Sequence, residues 1–342
     1  MMSTITERLE ILGLFPIAAA IIAFVLIIGL RPLLVRYALA RPNARSTHRK
    51  PTPQGGGIAV IGAVTVALVG AAMLMPYTLD DPVQLAGVFA CSLALAVVGA
   101  TDDMRPLEAL PRLMLQAIVV FAVVAMLPPA LHIFPILPWW IERLLMVVAI
   151  LWFVNLVNFM DGVDWMTVAE VVPLTAALAL FGLMGALPPD ATLVSLALCG
   201  AMIGFAPFNR PVARLFLGDV GSLPIGLLLG WLLVLLAGGG HLAAALLLPL
   251  YYLADATITL LRRVVNGEQV LQAHRSHFYQ RAMDGGSSVY QIVGRVFATN
   301  VGLVALATVT LLTSSLVLQM LMLAAGSALV GAILWTFDRA HQ

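Results

Sequence analysis

Long apolar runs constrain this chain more than any other feature of its sequence. Runs near or above the ~17–20 residues that cross a bilayer as a helix occur about eleven times. Of the 342 residues, 61% are apolar and only 10% are charged, more apolar surface than a soluble core could bury. Because backbone groups in lipid need internal hydrogen-bond partners, we predict an all-α integral membrane protein. The predicted spans are 11–31, 57–77, 84–100, 112–128, 139–157, 166–185, 191–208, 221–237, 242–260, 296–313 and 316–336.

The basic residues predict how these spans are oriented. Sixteen of the 18 Lys and Arg residues fall in loops on one face, and only Arg8 and Arg143 fall on the other. By the positive-inside rule the basic face is cytoplasmic, so the N-terminus is outside and the C-terminus is inside. We predict one membrane domain over 1–342, with cytoplasmic loops at about 32–56, 101–111, 158–165, 209–220 and 261–295.

Acidic residues collect at the ends of three predicted helices, all on the basic face. They are Asp102 and Asp103 in GATDDMRPL, Asp161 and Asp164 in NLVNFMDGVD, and Asp219 in RLFLGDVGSLP. A carboxylate costs less free energy at the edge of a bilayer than at its centre. Their clustering at one edge indicates a site in a cleft at the cytoplasmic membrane surface rather than a path through the membrane.

Each acidic group also has a purely structural interpretation. Asp102 and Asp103 could be a solvated helix terminus. Asp161 and Asp164 could cap a turn, which Gly162 would allow. Asp219 could be a plain N-cap residue at the start of its helix, although the small residues around it also suit the approach of a phosphate.

The last large loop contains a short basic cluster within LQAHRSHFYQRAMDGG. Such a cluster is often a solvated surface, and basic residues next to a membrane also bind anionic lipid head groups. Phosphate binding is the favoured functional interpretation. The members of this basic cluster are His274, Arg275, His277 and Arg281. Nearby Asp255 faces either the same cleft or a neighbouring helix, and the spacing of Ser288 and Gln291 predicts a capping box at the next helix.

Carboxylates beside basic residues suit a metal-bound diphosphate. Magnesium prefers oxygen ligands and is usually held by one or two carboxylates together with substrate phosphates. The metal would neutralise phosphate charge that carboxylates alone would repel, and arginine would form paired hydrogen bonds with phosphate oxygens. Cys91 and Cys199 lie in apolar runs and are interpreted as small core residues.

Five motifs in this order resemble the polyprenyl-phosphate N-acetylhexosamine-1-phosphate transferases, a superfamily related to phospho-N-acetylmuramoyl-pentapeptide translocase. They are PNARSTHRKPTPQGGG, GATDDMRPL, NLVNFMDGVD, LFLGDVGS and AHRSHFYQR. The resemblance implies catalytic roles for Asp102, Asp103 and Asp219, and Mg²⁺ binding, with Mn²⁺ as an alternative ion, at Asp219 and Asp103. It implies substrate binding by His48, Asn155, Asn158, Asp161, Asp164, His274, Arg275, His277 and Arg281.

Two departures from the family pattern concern the sugar. Trp165 stands where many members carry Gly, and Tyr279 and Gln280 stand where the N-acetylglucosamine members often carry paired histidines. The HRSHFYQR form looks most like the branch that starts surface polysaccharides, often from UDP-N-acetyl-6-deoxyhexosamines.

The implied reaction moves a sugar-1-phosphate from a UDP-sugar to undecaprenyl phosphate, with release of UMP, in the bacterial inner membrane. Direct attack by the lipid phosphate and a covalent route through an aspartate are both compatible with the sequence. The expected partners are the UDP-sugar, the lipid phosphate and membrane lipid, with a homodimer as one option and no nucleic acid. A secondary transporter with intramembrane carboxylates and a lipid-binding scaffold are the alternatives, but transporters usually place such groups near the midplane on paired repeats.

Overall fold

The computed structural model describes residues 2–40, 51–74, 79–269 and 275–340. These residues are almost entirely helical, and a two-residue antiparallel pair, β1 (Leu39–Ala40) with β2 (Thr52–Pro53), is their strand content. The helices are α1 (Met2–Tyr37), α2 (Gly56–Leu74), α3 (Pro82–Met104), α4 (Ala109–Ala125), α5 (Trp139–Met160), α6 (Met166–Leu183), α7 (Pro189–Phe205), α8 (Asp219–Gly238), α9 (Leu242–Leu247), α10 (Leu250–Val265), α11 (Phe278–Asp284), α12 (Val289–Leu311) and α13 (Leu316–Arg339).

The all-α membrane class is confirmed, whereas the count of eleven spans is not. Eight of the described helices are long and apolar enough to cross a bilayer. Helices α4 and α7 have 17 residues each, the lower end of the ~17–25 residues that a span requires. The predicted span 242–260 is broken into α9 and α10 at Pro249, whose missing N–H and ring interrupt a helix.

Several predicted boundaries move. Helix α1 continues to Tyr37, six residues beyond the predicted end of its span, so the following connection is shorter than 32–56. The predicted loop 261–295 contains the short helix α11 and the first turns of α12. The predicted capping box is confirmed, because Ser288 caps α12 and the Gln291 side chain accepts the Ser288 N–H.

Helix α8 is the centre of the bundle. Every residue of its most apolar 18-residue window is buried, compared with 22% for α1 and 17% for α13, which lie at the periphery. It packs against α3 and α5. A protein-buried central helix can place a polar N-terminus at the membrane edge without lipid contact, and this N-terminus carries Asp219.

The segment before α2 is tied to the segment before α8. Phe216 N–H donates to the Pro53 carbonyl at 2.8 Å, and Gly57 N–H donates to the Leu217 carbonyl at 2.9 Å. A Cβ atom at Gly57 would lie 2.1 Å from the Gly221 Cα atom, so glycine is required for this approach. The segment at the start of α2 thereby fixes the start of α8.

Candidate active site

The N-terminus of α8 is capped by a side chain from α3. Asp103 Oδ1 accepts the Asp219 N–H at 3.0 Å, and Asp103 Oδ2 accepts the Val220 N–H at 3.1 Å. Gly218, the local N-cap position, has φ +77° and no side chain to offer. The interpretation of Asp219 as a plain N-cap is therefore wrong, because Asp103 performs that role and leaves the Asp219 carboxylate free for other contacts.

Asp102, Arg112 and Asp219 form the charged centre of the site. Arg112 Nη1 lies 2.7 Å from Asp102 Oδ2 and 3.7 Å from Asp219 Oδ2, so both carboxylates lie beside the same guanidinium nitrogen. The Asp102 side chain is only 11% exposed, and its other oxygen accepts the Leu107 N–H at 2.6 Å. The solvated-terminus interpretation of the acidic pair is thus wrong for both members.

The predicted asparagines lie one turn apart on α5 and have different contacts. Asn158 Nδ2 donates to Asp219 Oδ1 at 2.7 Å and to Ser222 Oγ at 2.9 Å, so Asn158 belongs to the charged centre. Asn155 Nδ2 donates to Gln116 Oε1 at 2.8 Å, which joins α5 to α4. The structure therefore places Asn158 against the site carboxylate and Asn155 one turn deeper.

Asp161 and Asp164 lie in the turn after α5, since the helix ends at Met160. Asp164 is buried and accepts the Ala213 N–H at 2.9 Å, so it anchors the connection that leads to α8. Thr167 donates to Asp161. Burial raises the pKa of the Asp161 carboxyl to about 7; the Thr167 hydrogen bond opposes this, while the Asp103 and Asp164 charges add to it.

The same turn holds the family departure at Trp165. Its φ is +64°, a left-handed conformation in which glycine carries no steric cost. Two contacts hold the tryptophan there: its N–H donates to Asn209 Oδ1 at 2.7 Å, and its indole N–H donates to the Ala206 carbonyl at 2.6 Å.

Helix α11 brings the described part of the basic cluster toward this turn. His277 Nδ1 lies 3.1 Å from Asp255 Oδ1, and Asp255 also accepts the Phe278 N–H at 3.1 Å, so Asp255 pairs with the neighbouring helix. The Tyr279 hydroxyl donates to the Phe159 carbonyl at 3.3 Å, at the end of α5. Helix α11 is thus held between α10 and the Asp161 turn.

The basic residues of the cluster also form internal ion pairs. Arg275 lies 2.8 Å from Asp284, and Arg281 pairs with Asp338 of α13. His48 and His274, both predicted substrate ligands, lie outside the described residues. In this structure the arginines brace α11, and their phosphate-binding role stays a prediction.

Arg112 is a site residue that no sequence motif singled out, because a basic residue at this membrane edge also fits the positive-inside rule. Its position in the sequence could have indicated the role, because Arg112 lies in the first turn of the helix that follows the acidic pair, at the same membrane edge.

The donor set of the charged centre fits a magnesium ion. Among the described residues, no group of three Asp, Glu, His or Cys side chains forms a complete protein-only metal site. Magnesium does not require one, since one or two carboxylates plus substrate phosphates usually suffice. Asp102 and Asp219 supply two adjacent carboxylates, and a single arginine contacts both, so negative charge is in excess.

Sequence comparisons agree with this arrangement. The model of glycosyl transferase family 4 matches residues 85–237, which contain the acidic pair, the Asp161 turn and the start of α8. A decaprenyl-phosphate N-acetylglucosaminephosphotransferase of Mycolicibacterium smegmatis is 28% identical over 314 residues, 81% of this chain and 76% of that protein. A probable undecaprenyl-phosphate N-acetylglucosaminyl 1-phosphate transferase of Bacillus subtilis is 24% identical, with 86% of each chain covered. The phospho-N-acetylmuramoyl-pentapeptide-transferase of Desulfotalea psychrophila is 29% identical over 64% of this chain and 71% of that protein.

The chain is therefore similar to the polyprenyl-phosphate sugar-1-phosphate transferases. The comparisons agree with the predicted resemblance, and the eight candidate spans agree with a multi-pass membrane protein. The family model matches less than half of the chain and ends before α11, whereas the matches to the Mycolicibacterium and Bacillus relatives cover more than four fifths of it.

Proposed function

We propose that the protein transfers a sugar-1-phosphate from a UDP-sugar to undecaprenyl phosphate and releases UMP. The observation that carries the proposal is the convergence of Asp102, Arg112, Asn158 and Asp219 at the capped N-terminus of α8. This end of the bundle is a membrane edge, where a lipid phosphate and a water-soluble nucleotide can meet. We propose that it faces the cytoplasm of a bacterial inner membrane, with the N-terminus outside and the C-terminus inside.

We propose that Asp219 and Asp102 hold Mg²⁺, with Mn²⁺ as an alternative. Both oxygens of Asp103 already accept N–H groups of α8, so its proposed part is to fix the helix end rather than to provide the second ligand. Bound there, the ion would neutralise the diphosphate and the leaving UMP.

The remaining residues position the reactants and balance charge. Arg112 is placed to contact phosphate oxygens while it holds Asp102, and Asn158 fixes the orientation of Asp219. The lipid phosphate, with a second pKa of about 6, is largely dianionic at neutral pH and needs no base. Catalysis of this kind depends mostly on positioning and electrostatic stabilisation, which a pre-formed set of partly buried contacts provides.

The proposed donor is a UDP-N-acetylhexosamine or a UDP-N-acetyl-6-deoxyhexosamine, used in the first membrane step of surface polysaccharide synthesis. The named relatives act on N-acetylglucosamine or N-acetylmuramoyl-pentapeptide substrates, which supports the N-acetylhexosamine class. Gln280 Nε2 donates to the Tyr279 hydroxyl at 3.1 Å, and that hydroxyl packs against Gly162 in the Asp161 turn. The pair therefore contacts the Asp161 turn from the two positions where N-acetylglucosamine members often carry histidines.

A release assay tests the proposal. Purified protein receives undecaprenyl phosphate, Mg²⁺ and a panel of UDP-sugars, and UMP is measured. We expect release with at least one donor, loss of release on chelation, and a decrease of about 10²–10³-fold in Asp219→Asn. Asp80→Asn is the matched control, because Asp80 is an exposed aspartate between α2 and α3, at the other end of the bundle.

Two outcomes would count against it. Wild-type rates in Asp219→Asn would remove that residue from the site. Absence of UMP release with every donor, together with substrate uptake into vesicles, would favour the transporter alternative.

A further inference from the structure

A cavity lies next to the Asp161 turn, and Trp165 of that turn forms one of its walls. Its volume is about 350 Å³, and it opens between α6, the end of α7 and α12. A cavity of this volume is at the lower end of the ~300–1,000 Å³ range of small-molecule sites. Its walls include Trp165, Val168, Tyr290, Val293, Gly294 and Phe297.

The cavity presents hydrocarbon surface although two of its walls are amphipathic side chains. The Tyr290 hydroxyl donates to the Pro211 carbonyl at 2.9 Å, and the Trp165 indole N–H donates to the Ala206 carbonyl. The two rings meet edge to face with centroids 6.2 Å apart. Their polar atoms are thus engaged by backbone, and the ring surfaces are left to contact an apolar ligand.

One cation stands at the rim of this cavity. Arg210 is exposed, and its Nε donates to the Tyr290 hydroxyl at 3.4 Å. Within the described ranges no carboxylate pairs with Arg210, so its remaining N–H groups can bind a phosphate oxygen in the forked geometry that guanidinium favours. A hydrocarbon cavity with a cation at its mouth, at the membrane edge, has the arrangement of a phospholipid's chain and head group.

We propose that this cavity binds one acyl chain of an anionic glycerophospholipid, with the lipid phosphate at Arg210. None of the residues that line the cavity belongs to the charged centre at the start of α8, so the site is distinct from the proposed transferase site. It also contacts that turn directly through Trp165, which holds a left-handed backbone conformation immediately after Asp164. A bound chain packs on the indole and stabilises the conformation that keeps the Asp161 turn in place, so the lipid acts as a structural regulator.

Quenching of tryptophan fluorescence by brominated lipid tests this proposal without any turnover. Protein in detergent micelles is titrated with dibrominated-acyl phosphatidylglycerol or dibrominated-acyl phosphatidylcholine. The chain has six tryptophans, so the signal of Trp165 is obtained by subtraction. The fluorescence of each variant is measured with Trp165 present and with Trp165→Phe, and the difference is the Trp165 component. The transferase assay plays no part in the readout, so failure of either proposal is separable from failure of the other.

Two glycines provide matched variants. A Cβ atom at Gly294 or at Gly331 would have no atom within 4 Å, and both glycines lie inside helices. Gly294→Leu fills the cavity, whereas Gly331→Leu adds the same side chain to α13, away from it. Arg210→Gln removes the rim charge and keeps a hydrogen-bonding side chain.

We expect the Trp165 component to be quenched at about fivefold lower mole fraction of the brominated phosphatidylglycerol than of the brominated phosphatidylcholine. A factor of this size is the effect of one basic residue near an anionic head group. Arg210→Gln should abolish this preference, and Gly294→Leu should abolish the quenching that Gly331→Leu retains. Equal quenching by both lipids, or equal quenching in the two leucine variants, would overturn the proposal. Displacement of the brominated lipid by undecaprenyl phosphate but not by unbrominated phosphatidylglycerol would assign the cavity to the lipid substrate instead, which also overturns it.

Discussion

Replacement of Asp103 by alanine tests whether Asp103 has a structural role as the cap of α8, while its neighbour Asp102 takes part in the chemistry. The side chain accepts two N–H groups at the start of the buried central helix, at 3.0 and 3.1 Å. Loss of one capping acceptor costs about 0.5–2 kcal/mol, so loss of both costs about 1–4 kcal/mol. Asp103→Asn keeps one acceptor oxygen and should lose about half of this. The helix dipole adds to the cost, because a negative charge is removed from an N-terminus.

Thermal unfolding in detergent, at one fixed scan rate, measures the effect. For Asp103→Ala we expect an apparent Tm lower by about 1–6 °C, because an unfolding entropy of ~2.1 cal/mol/K per residue makes 1 kcal/mol correspond to ~1.4 °C in a chain of 342 residues. Asp219→Asn is the comparison, because its carboxylate caps no helix: its Tm should stay near wild type while UMP release falls. If Asp103→Ala unfolded at the wild-type temperature yet released no UMP, the capping role would be refuted, and Asp103 would belong to the chemistry itself.

Two further predictions concern the turn and the helix contact beside it. For Asp161, a pKa of about 7 in the folded protein lies above the ordinary value of 3.8, so its contribution to stability is full below about pH 4 and is lost as the pH rises to 7. The Tm of wild type minus that of Asp161→Asn should fall over this interval and be flat above it; parallel curves would show a carboxyl that is ionised throughout. For Gly57→Ala, a Cβ atom 2.1 Å from Gly221 should destabilise the protein by about 1–3 kcal/mol. Gly70→Ala in the same helix, with no atom within 4 Å, should be neutral or stabilising; equal Tm values for the two variants would contradict the close approach.

The sequence by itself determined the membrane class, the approximate positions of the helices and the set of acidic helix ends. These features are encoded locally: a span is a run of apolar residues, and Asp102, Asp161 and Asp219 each stand where such a run ends or begins. The break at Pro249 was also local, but a continuous apolar run concealed it, because hydropathy does not measure helix continuity.

Only the tertiary structure decided which residue does what at that end of the bundle. Asp103 caps α8, which begins 116 residues later in the chain, and Asp164 anchors Ala213, 49 residues later. Arg112 became a site residue only when α4 was packed beside α3, which places its first turn against Asp102 and Asp219. The physical reason is that a carboxylate's role depends on which donors surround it, and those donors arrive from helices whose packing no local pattern specifies.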